Sequence, residues 1–222
     1  MCGIAGLIHL DNAPVSPEVL QRMTDAIAHR GPDGEGFHYE QNASGGVALA
    51  HRRLSIIDLA GGKQPMCNED ETIWITFNGE IYNYRELRSE LQKQGHQFRT
   101  DSDTETIVHL YEERGMDFLT ELRGMFAFAL WDREQKKLTL VRDRLGEKPL
   151  YFGFRGETMI FGSELKAIEA LPEISPKIDR NSLKIYLRLG YIPAPHSIYE
   201  GIYKLSPGHF LEFSMEDVKA RS

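Results

Sequence analysis

The second residue, Cys2, would carry both a thiol and a free α-amine once Met1 is removed. Aminopeptidases remove an initiator methionine when the next side chain is small, and that of cysteine is small enough. The thiol has a reference pKa of about 8.5 and the amine one of about 7.7–8.0, so the amine can act as a base near neutral pH. A nucleophile beside its base is what covalent catalysis requires. The alternative is a cysteine that packs inside the first strand, because free cysteines are among the most buried residues.

Four polar groups downstream could assist a reaction at that thiol. Asn78 offers a side-chain amide and Gly79 a backbone N–H without a side chain in front of it, the donor pair of an oxyanion hole. Arg53 presents a planar fork that suits a carboxylate, and Asp103 presents an acceptor that suits an ammonium group. Together these groups describe an α-amino acid substrate with a carbonyl further along its side chain.

Each of these residues also has an ordinary structural explanation. Asn-Gly is a common turn dipeptide, so Asn78 and Gly79 could form a turn after a strand. Asp103 could be a favourable acid in the first turn of a helix. Arg53 could pair with any of the 33 acidic residues. The presence of all four beside a nucleophile in one chain favours the catalytic interpretation.

Composition excludes several other classes of function. The formal net charge is −7 without a basic block, which argues against nucleic acid or an anionic membrane surface as a partner. No apolar run reaches membrane-spanning length, and no signal peptide is recognisable. Two cysteines make a disulfide framework improbable and predict a reduced, cytoplasmic protein. Eight scattered histidines without a His-x-x-x-His or Cys-x-x-Cys pair predict no metal site.

The elements that must position these residues can be predicted from hydrophobic periodicity and capping signals. Ser16 and Pro17 open a helix that ends near His29, Asn83 opens a second that stops at Gly95, and Ser102 with Glu105 forms a capping box that opens a third. These helices and recurrent short strands predict an α+β fold with layered antiparallel sheets. Strands are predicted at 3–10, 45–58, 72–77, 125–131, 137–142, 150–154 and 159–162, and helices at 17–29, 83–95, 102–115 and 179–189.

The last quarter of the chain differs in composition. Five of the ten prolines lie between residues 172 and 207, around the predicted helix at 179–189. We therefore predict a main domain at 1–171 and a linker or tail at 172–222 that wraps around this domain or leaves it.

Several motifs occur in a specific order. They are 1–6 (MCGIAG), 29–34 (HRGPDG), 51–56 (HRRLSI), 78–83 (NGEIYN) and 102–105 (SDTE). This series resembles the class II glutamine amidotransferase domain, of the N-terminal nucleophile type. Segments similar to the asparagine synthetase branch follow at 142–151 (RDRLGEKPLY), 163–167 (SELKA) and 186–208, which ends in LSPG.

The resemblance implies a four-layer αββα sandwich of two antiparallel sheets, with Cys2 at the edge of one sheet. It implies that Cys2 is the nucleophile, that its amine is the base, and that Asn78 and Gly79 form the oxyanion hole. It also assigns groups that hold the glutamine substrate. These are Arg53 for the α-carboxylate, Asp103 for the α-amine, and Leu54, Ser55, Ile56, Ile57 and Glu80 for further contacts. Structural roles are expected for 30–34 and 142–151.

The function implied is hydrolysis of L-glutamine to glutamate and ammonia. In a full enzyme the ammonia would serve ATP-dependent asparagine synthesis from aspartate. No cofactor is expected in this chain. ATP and Mg²⁺ are expected only in a C-terminal synthetase domain of the same polypeptide, because this sequence has no Ser-Gly-Gly-x-Asp-Ser loop. A homodimer is compatible with the sequence.

Two alternatives stay open at this point. The same glutaminase could feed another acceptor, such as a sugar phosphate, phosphoribosyl pyrophosphate or a surface polysaccharide precursor. The domain could instead bind glutamine or a partner chain without catalysis.

Overall fold

A computed structural model of the chain describes residues 1–10, 13–42, 45–58, 61–171 and 176–214. The described strands are β1 (Gly3–His9), β2 (Gly34–Asn42), β3 (Gly45–Arg53), β4 (Met66–Cys67), β5 (Ile73–Ile81), β6 (Gly124–Asp132), β7 (Lys137–Arg142), β8 (Tyr151–Arg155), β9 (Thr158–Gly162), β10 (Ile202–Lys204) and β11 (Phe210–Ser214). The helices are α1 (Pro17–Asp25), α2 (Tyr84–Gln94), α3 (Asp103–Arg114), α4 (Leu165–Glu169) and α5 (Arg180–Leu189), with short 3₁₀ turns at Ala28–Arg30 and Gly115–Thr120. None of these helices is long and apolar enough to cross a membrane.

The strands form two sheets in which neighbouring strands run antiparallel. The first sheet has the order β10-β8-β9-β1-β3-β2, and the second has the order β11-β7-β6-β5-β4. The inner faces of both sheets share one apolar cluster, in which Ile4 and Phe161 of the first sheet join Trp131 and Leu140 of the second. The two sheets therefore pack face to face around a common core.

Helices cover the outer face of each sheet. Leu20 and Met23 of α1 pack with Leu7 of β1 in a cluster that also includes α4. On the other side, Leu91 of α2 and Ile107 of α3 pack in one cluster with β5 and β6. Alternation along a strand sends successive side chains to opposite faces, so β1 is buried between both layers. The predicted four-layer αββα sandwich of two antiparallel sheets is confirmed.

Most predicted elements are present, but β2, β4, β10, β11 and α4 were not predicted, and the alternative of a turn at Asn78-Gly79 does not hold. Strand β5 continues to Ile81, and Asn78 and Gly79 pair with Ala127 and Phe126 of β6. The predicted turn at Asp11-Asn12 lies outside the described residues. Asn-Gly is a turn signal only when no neighbouring strand claims its backbone groups. Tertiary pairing therefore overrides the local preference here.

Two predicted helix caps also differ in detail. Asn83 precedes α2, but its side chain binds Glu121 O and Arg123 N, each at 3.0 Å, and not the helix. Ser102 does cap α3, because its Oγ accepts from Thr104 N at 3.1 Å. Glu105 reaches past Ser102 and accepts from the N–H groups of Arg99 and Thr100, at 2.7 and 2.8 Å. The Ser102 half of the predicted capping box is therefore present. The Glu105 half is absent, because the Glu105 carboxylate binds N–H groups of the loop before α3 instead of the Ser102 N–H.

The segment 142–151 has the structural role that was expected. The Asp143 carboxylate accepts from the backbone N–H groups of Leu145, Glu147 and Lys148, each at 3.0 Å. Arg142 donates to Lys148 O at 2.8 Å and to Leu205 O at 2.6 Å. The turn after β7 is thus built around one carboxylate and is joined to the LSPG segment of the tail.

The tail contributes an edge strand to each sheet. Strand β10 pairs with β8 in the first sheet, and β11 pairs with β7 in the second. Helix α5 lies before these strands. Leu187 on this helix and Tyr191 just after it are largely exposed, by 76% and 61%. The division at residue 171 stays a prediction, and the described part of the tail wraps around both sheets.

Candidate active site

The backbone around Cys2 is held at the end of β1. Ile4 exchanges two hydrogen bonds with Ser163, at 3.0 Å to its Oγ and 2.9 Å from its N–H. Arg30 Nε donates to Cys2 O at 2.9 Å, and Arg30 also forms an ion pair with Glu164 at 2.8 Å. Two of the sequence motifs, HRGPDG and SELKA, therefore meet at the N-terminus and fix its direction.

The Cys2 thiol lies against the chain that leaves β3. Its Sγ is 3.4 Å from Leu54 N and 3.6 Å from Leu54 O. Burial raises the pKa of the thiol, and the negative charge of Asp103 raises it further. The hydrogen bond with Leu54 and the positive charges of the N-terminus and Arg53 lower the pKa, but by less. The net effect of these groups keeps the thiol protonated near neutral pH, so it needs a base.

Met1 remains attached to Cys2 in this structure. Its side chain is 55% exposed, and its sulfur accepts a hydrogen bond from Lys148 Nζ at 3.2 Å. The nitrogen of Cys2 is therefore a peptide nitrogen here, which is not a base. Removal of Met1 is what would turn it into an amine.

A cleft with about 610 Å³ of empty space, open to solvent, contains the predicted residues. Its lining includes Cys2, the pair predicted for the oxyanion hole and most of the predicted substrate contacts. It also includes the two charged clamps, Arg53 for the α-carboxylate and Asp103 for the α-amine. Of the predicted residues, those that line it are Cys2, Arg53, Leu54, Ile56, Ile57, Asn78, Gly79, Glu80 and Asp103. The fold thus brings together residues from the N-terminus, β3, β5 and α3.

Ser55 is the exception among the predicted contacts. It is not among the residues that line the cleft, and its N–H donates to Asp33 Oδ2 at 2.8 Å. Asp33 N in turn donates to Arg53 O at 3.0 Å. The HRGPDG segment therefore supports the loop that carries Arg53, and the substrate contact at Ser55 stays a prediction.

Asn78 and Gly79 are consecutive residues of β5, and both line the cleft. Asn78 is 1% exposed, and its Nδ2 makes no hydrogen bond with any described residue. A Cβ at Gly79 would lie 2.3 Å from Met125 O and 2.7 Å from Phe126 Cα, so β6 leaves no room for a side chain there. A buried amide without a partner is costly unless a ligand or water satisfies it. This donor is therefore available to an oxygen atom in the cleft.

Arg53 is oriented by the loop that follows β3. Its guanidinium donates to Asp58 O and Ile57 O. Asp58 has a left-handed backbone, with φ of +48°, and its carboxylate accepts from Gly61 N at 2.8 Å and Asp101 N at 2.9 Å. Asp58 thus connects the loop that holds Arg53 to the segment that begins α3.

Asp103 is the first residue of α3 and is 4% exposed. Its Oδ2 accepts from Ile81 N at 3.0 Å, so the carboxylate joins the end of β5 to the helix. Burial raises the pKa of Asp103 to about 6, the N–H groups of Ile81 and Thr104 limit the rise, and Glu80 adds to it. Asp103 is ionised at neutral pH, and Ser102, not Asp103, is the helix cap.

Among the lining residues that the sequence interpretation did not assign to the site are His51, Gln64 and Lys148. Gln64 Oε1 accepts from Phe77 N at 2.7 Å, and its Nε2 donates to Thr104 Oγ1 at 3.2 Å. Burial lowers the pKa of His51 to about 4, so it is neutral and donates from Nε2 to Phe77 O at 3.1 Å. His51 lay within a recognised motif and could have been found, whereas nothing local marked Gln64.

This arrangement can carry out acyl transfer. It has a thiol, an adjacent nitrogen that becomes an amine once Met1 is gone, and a buried amide donor without a partner among the described residues. The cations Arg53 and Lys148 and the anions Glu80 and Asp103 line the same cleft. An oxyanion hole requires donors fixed in advance where negative charge develops, and Asn78 and Gly79 lie on a strand that is paired with β6.

Residues 1–222, the whole of the chain, match the glutamine amidotransferase domain family. The asparagine synthetase [glutamine-hydrolyzing] 2 of Bacillus subtilis (strain 168) is 42% identical over 97% of this chain and 29% of its own length. The enzyme of the same name from Arabidopsis thaliana is 44% identical over 76% of this chain and 28% of its own. The chain spans about a third of the length of the curated relatives it matches.

A solved structure shows the same fold. The glutamine phosphoribosylpyrophosphate amidotransferase from Bacillus subtilis, complexed with ADP and GMP, superposes with a TM-score of 0.70 at 20% identity, over 97% of this chain and 48% of that one. The likeness in sequence and fold agrees with the order of motifs around the cleft. The chain belongs to the glutamine amidotransferase domain family.

Proposed function

We propose that this domain hydrolyses L-glutamine with Cys2 as its nucleophile. The observation that carries the proposal is the buried Asn78 amide, which has no hydrogen-bond partner among the described residues and lines the same cleft as Cys2. A domain that only bound a partner chain would have no use for an unsatisfied donor beside a thiol. The family membership supports the same substrate.

The glutamine substrate would be held at both ends of its α-amino acid group. Arg53 pairs with the α-carboxylate, since a guanidinium binds a carboxylate through two hydrogen bonds. Asp103, ionised at neutral pH, accepts from the α-ammonium group. The side-chain amide then reaches Cys2, and the backbone of Leu54, Ile56 and Ile57 with Glu80 completes the contacts.

The reaction runs in two steps. The amine of processed Cys2 takes the thiol proton, Sγ attacks the amide carbon, and a C–S bond forms while the oxygen becomes negative. Asn78 Nδ2 and the Gly79 N–H stabilise that oxygen. The Cys2 ammonium returns the proton to the leaving nitrogen, the C–N bond breaks and ammonia departs. Water then attacks the thioester, the C–S bond breaks, and glutamate is released.

The use of the ammonia is a further part of the proposal. The similar asparagine synthetases favour transfer to an activated aspartate, with ATP and Mg²⁺ bound in a C-terminal synthetase domain outside this sequence. Leu187 and Leu189 of α5 and Tyr191 just after it are exposed, which suits coverage by such a domain. The proposal places no cofactor in this chain. Another acceptor, such as a sugar phosphate, is the second candidate and requires the same glutaminase step.

A glutaminase assay on two forms of the protein tests the proposal. Protein with Cys2 as its first residue is expected to release glutamate and ammonia from glutamine. Protein that retains Met1 is expected to be inactive, because an amide nitrogen cannot accept the thiol proton. Mass spectrometry establishes the first residue of each sample. A folded, processed protein that releases no glutamate would refute the proposal, as would equal activity of the two forms.

The substitution Asp103→Asn is expected to lower kcat/KM for glutamine by roughly ten- to a hundred-fold or somewhat more. A charge-assisted hydrogen bond to the α-ammonium is worth about 1.5–3 kcal/mol, and the amide loses the charge while it keeps the shape. The ratio of wild-type to mutant kcat/KM should depend on pH. It should fall towards one as pH drops below about 6, where Asp103 itself becomes protonated. Steady-state kinetics between pH 5 and 8 measure that ratio.

The stability of the Asp103→Asn protein distinguishes a substrate-binding role of Asp103 from a purely structural one. The pKa of Asp103 is about 6 in the folded protein, above its unfolded value of about 3.9, so the carboxylate destabilises the fold as pH rises through this window. Asp103→Asn removes that cost and should be at least as stable as the wild type at pH 7. The matched control is Asp101→Asn, two residues earlier. Its side chain is 90% exposed and forms a surface ion pair with Arg88 at 3.2 Å, so its loss should leave the kinetics unchanged and cost less than about 1 kcal/mol of stability. Normal kinetics in an Asp103→Asn protein that unfolds more easily would make Asp103 a structural residue only.

A further inference from the structure

A cluster of two histidines and a glutamate lies between α2 and α3, outside the cleft. His96 follows Gly95, which ends α2, and His96 N donates to Leu91 O at 3.1 Å. His109 and Glu112 lie one turn apart on α3. His96 Nδ1 is 3.2 Å from His109 Nδ1, and Glu112 Oε2 is 2.7 Å from His109 Nδ1 and 3.7 Å from His96 Nδ1. Three potential ligand atoms therefore face one point.

We propose that His96, His109 and Glu112 bind one divalent transition-metal ion of the zinc class. A point about 1.9 Å from all three atoms exists in the plane of their triangle, and Zn–N and Zn–O bonds are about 2.0–2.2 Å long. An ion slightly above that plane would meet all three ligands without movement of the backbone. Two imidazoles and one carboxylate suit Zn²⁺ and its neighbours more than Mg²⁺ or Ca²⁺, which prefer oxygen ligands.

The groups around the cluster orient its ligands as they do in metal sites. His96 Nε2 lies 2.8 Å from Glu113 Oε1 and donates to it, which leaves the lone pair on Nδ1. Glu112 Oε1 accepts from Asn68 Nδ2 at 2.8 Å, which directs Oε2 to the histidines. Such outer contacts fix the tautomer and direction of metal ligands. They come here from two parts of the fold, since Glu113 lies on α3 and Asn68 follows β4.

The electrostatic surroundings call for a cation. His109 is 1% exposed, and its Nε2 makes no hydrogen bond within the described structure. The carboxylates of Glu105 and Glu69 approach that nitrogen at 3.8 and 3.9 Å, in addition to Glu112 at Nδ1. A bound divalent ion would balance the negative charge of these carboxylates.

The expected consequence is a bridge between two helices. The fourth position of a tetrahedral ion would face solvent, because His96 and Glu112 side chains are partly exposed, by 15% and 23%. An ion that binds only the folded state raises its stability in proportion to its affinity. The prediction of no metal site considered only ligand pairs close in sequence, whereas these ligands join through the packing of α2 on α3.

Metal titration of the chelator-treated protein tests the proposal. Cys2→Ala/Cys67→Ala protein is used as the parent, so that no thiolate contributes. Zn²⁺ binding is measured by calorimetry, and Co²⁺ binding by the visible absorption of a tetrahedral ion. The parent is expected to bind one ion per chain and to melt at a higher temperature with Zn²⁺. His96→Ala should weaken binding by at least about a hundred-fold, because outer contacts alone are worth about 10–100-fold.

Two further variants keep the test decisive. His209→Ala removes an exposed histidine whose Nδ1 lies 2.8 Å from Pro207 O, far along the chain from the cluster, and this variant should bind metal as the parent does. Glu112→Gln keeps the size of the side chain but removes its charge. It should lower the affinity for Zn²⁺ and abolish the rise in melting temperature that Zn²⁺ causes in the parent. This variant gives the test a result even when His96→Ala does not fold. No saturable binding in the parent, or equal affinity in parent, His96→Ala and Glu112→Gln, would overturn the proposal.

Discussion

Cys2→Ala is expected to lower kcat for glutamine hydrolysis by about 10⁴-fold or more, the scale of loss when a catalytic nucleophile is removed. The substitution deletes one sulfur that touches Leu54 N and Leu54 O. The backbone of residue 2 keeps its hydrogen bond from Arg30, so the entry into β1 should be unchanged. The loss should therefore be confined to chemistry. Kinetics and thermal unfolding of the same sample measure the two effects.

Cys67→Ala is the matched control, because it removes the other thiol of the chain. Burial and the nearby Glu71 raise the pKa of Cys67, and that thiol lies outside the cleft. Hydrolysis should be unchanged in this variant. A glutamine-like electrophile should label Cys2 in wild-type and Cys67→Ala protein alike, and mass spectrometry locates the adduct. Labelling mainly at Cys67, or activity that survives in Cys2→Ala, would exclude Cys2 as the nucleophile.

Asn78→Ala is expected to lower kcat by about 10²–10³-fold, the usual cost of one oxyanion-hole donor. Asn78 Nδ2 has no partner to lose in the described structure, so its removal leaves no new unsatisfied group. The cost should fall on kcat more than on KM, because the donor acts when the oxygen becomes negative. Gly79 keeps its N–H, which explains why some activity should remain.

Thr76→Val provides the control on the same strand. Thr76 is buried two residues earlier on the same face of β5, and its Oγ1 donates to Ala50 O at 3.0 Å. This variant should lose about 1 kcal/mol of stability and retain its kcat. If Thr76→Val and Asn78→Ala lose activity equally, the effect belongs to the strand and not to the donor. An unchanged kcat in Asn78→Ala would remove it from the oxyanion hole.

The residues in the cleft depend on a few connections between elements. Asp58 joins the loop of Arg53 to Asp101, just before Asp103. Gln64 joins β5 to Thr104 on the other side of the same helix end. The distance between the two charged clamps, Arg53 and Asp103, is therefore set by contacts within the protein. Such positioning contributes to catalysis because a bound substrate reacts only near its productive geometry.

The sequence by itself determined the family, the layered α+β fold and nine of the eighteen residues that line the cleft. It could do so because the chemistry needs particular side chains, and these occur in short ordered motifs around Cys2, Arg53, Asn78 and Asp103. Helix ends were also predictable, since Gly95 adopts a positive φ of +107° at the end of α2, as a local stop signal requires.

Only the tertiary structure decided how those groups are used. Asn78 and Gly79 belong to a strand because β6 pairs with them, and the Ser55 N–H donates to Asp33, which is 22 residues earlier in the chain. Gln64 enters the site, and His96 meets His109, through contacts between residues distant in the chain. Local patterns report the preferences of neighbouring residues, whereas burial, hydrogen-bond partners and pKa depend on which segments the packed sheets and helices bring together.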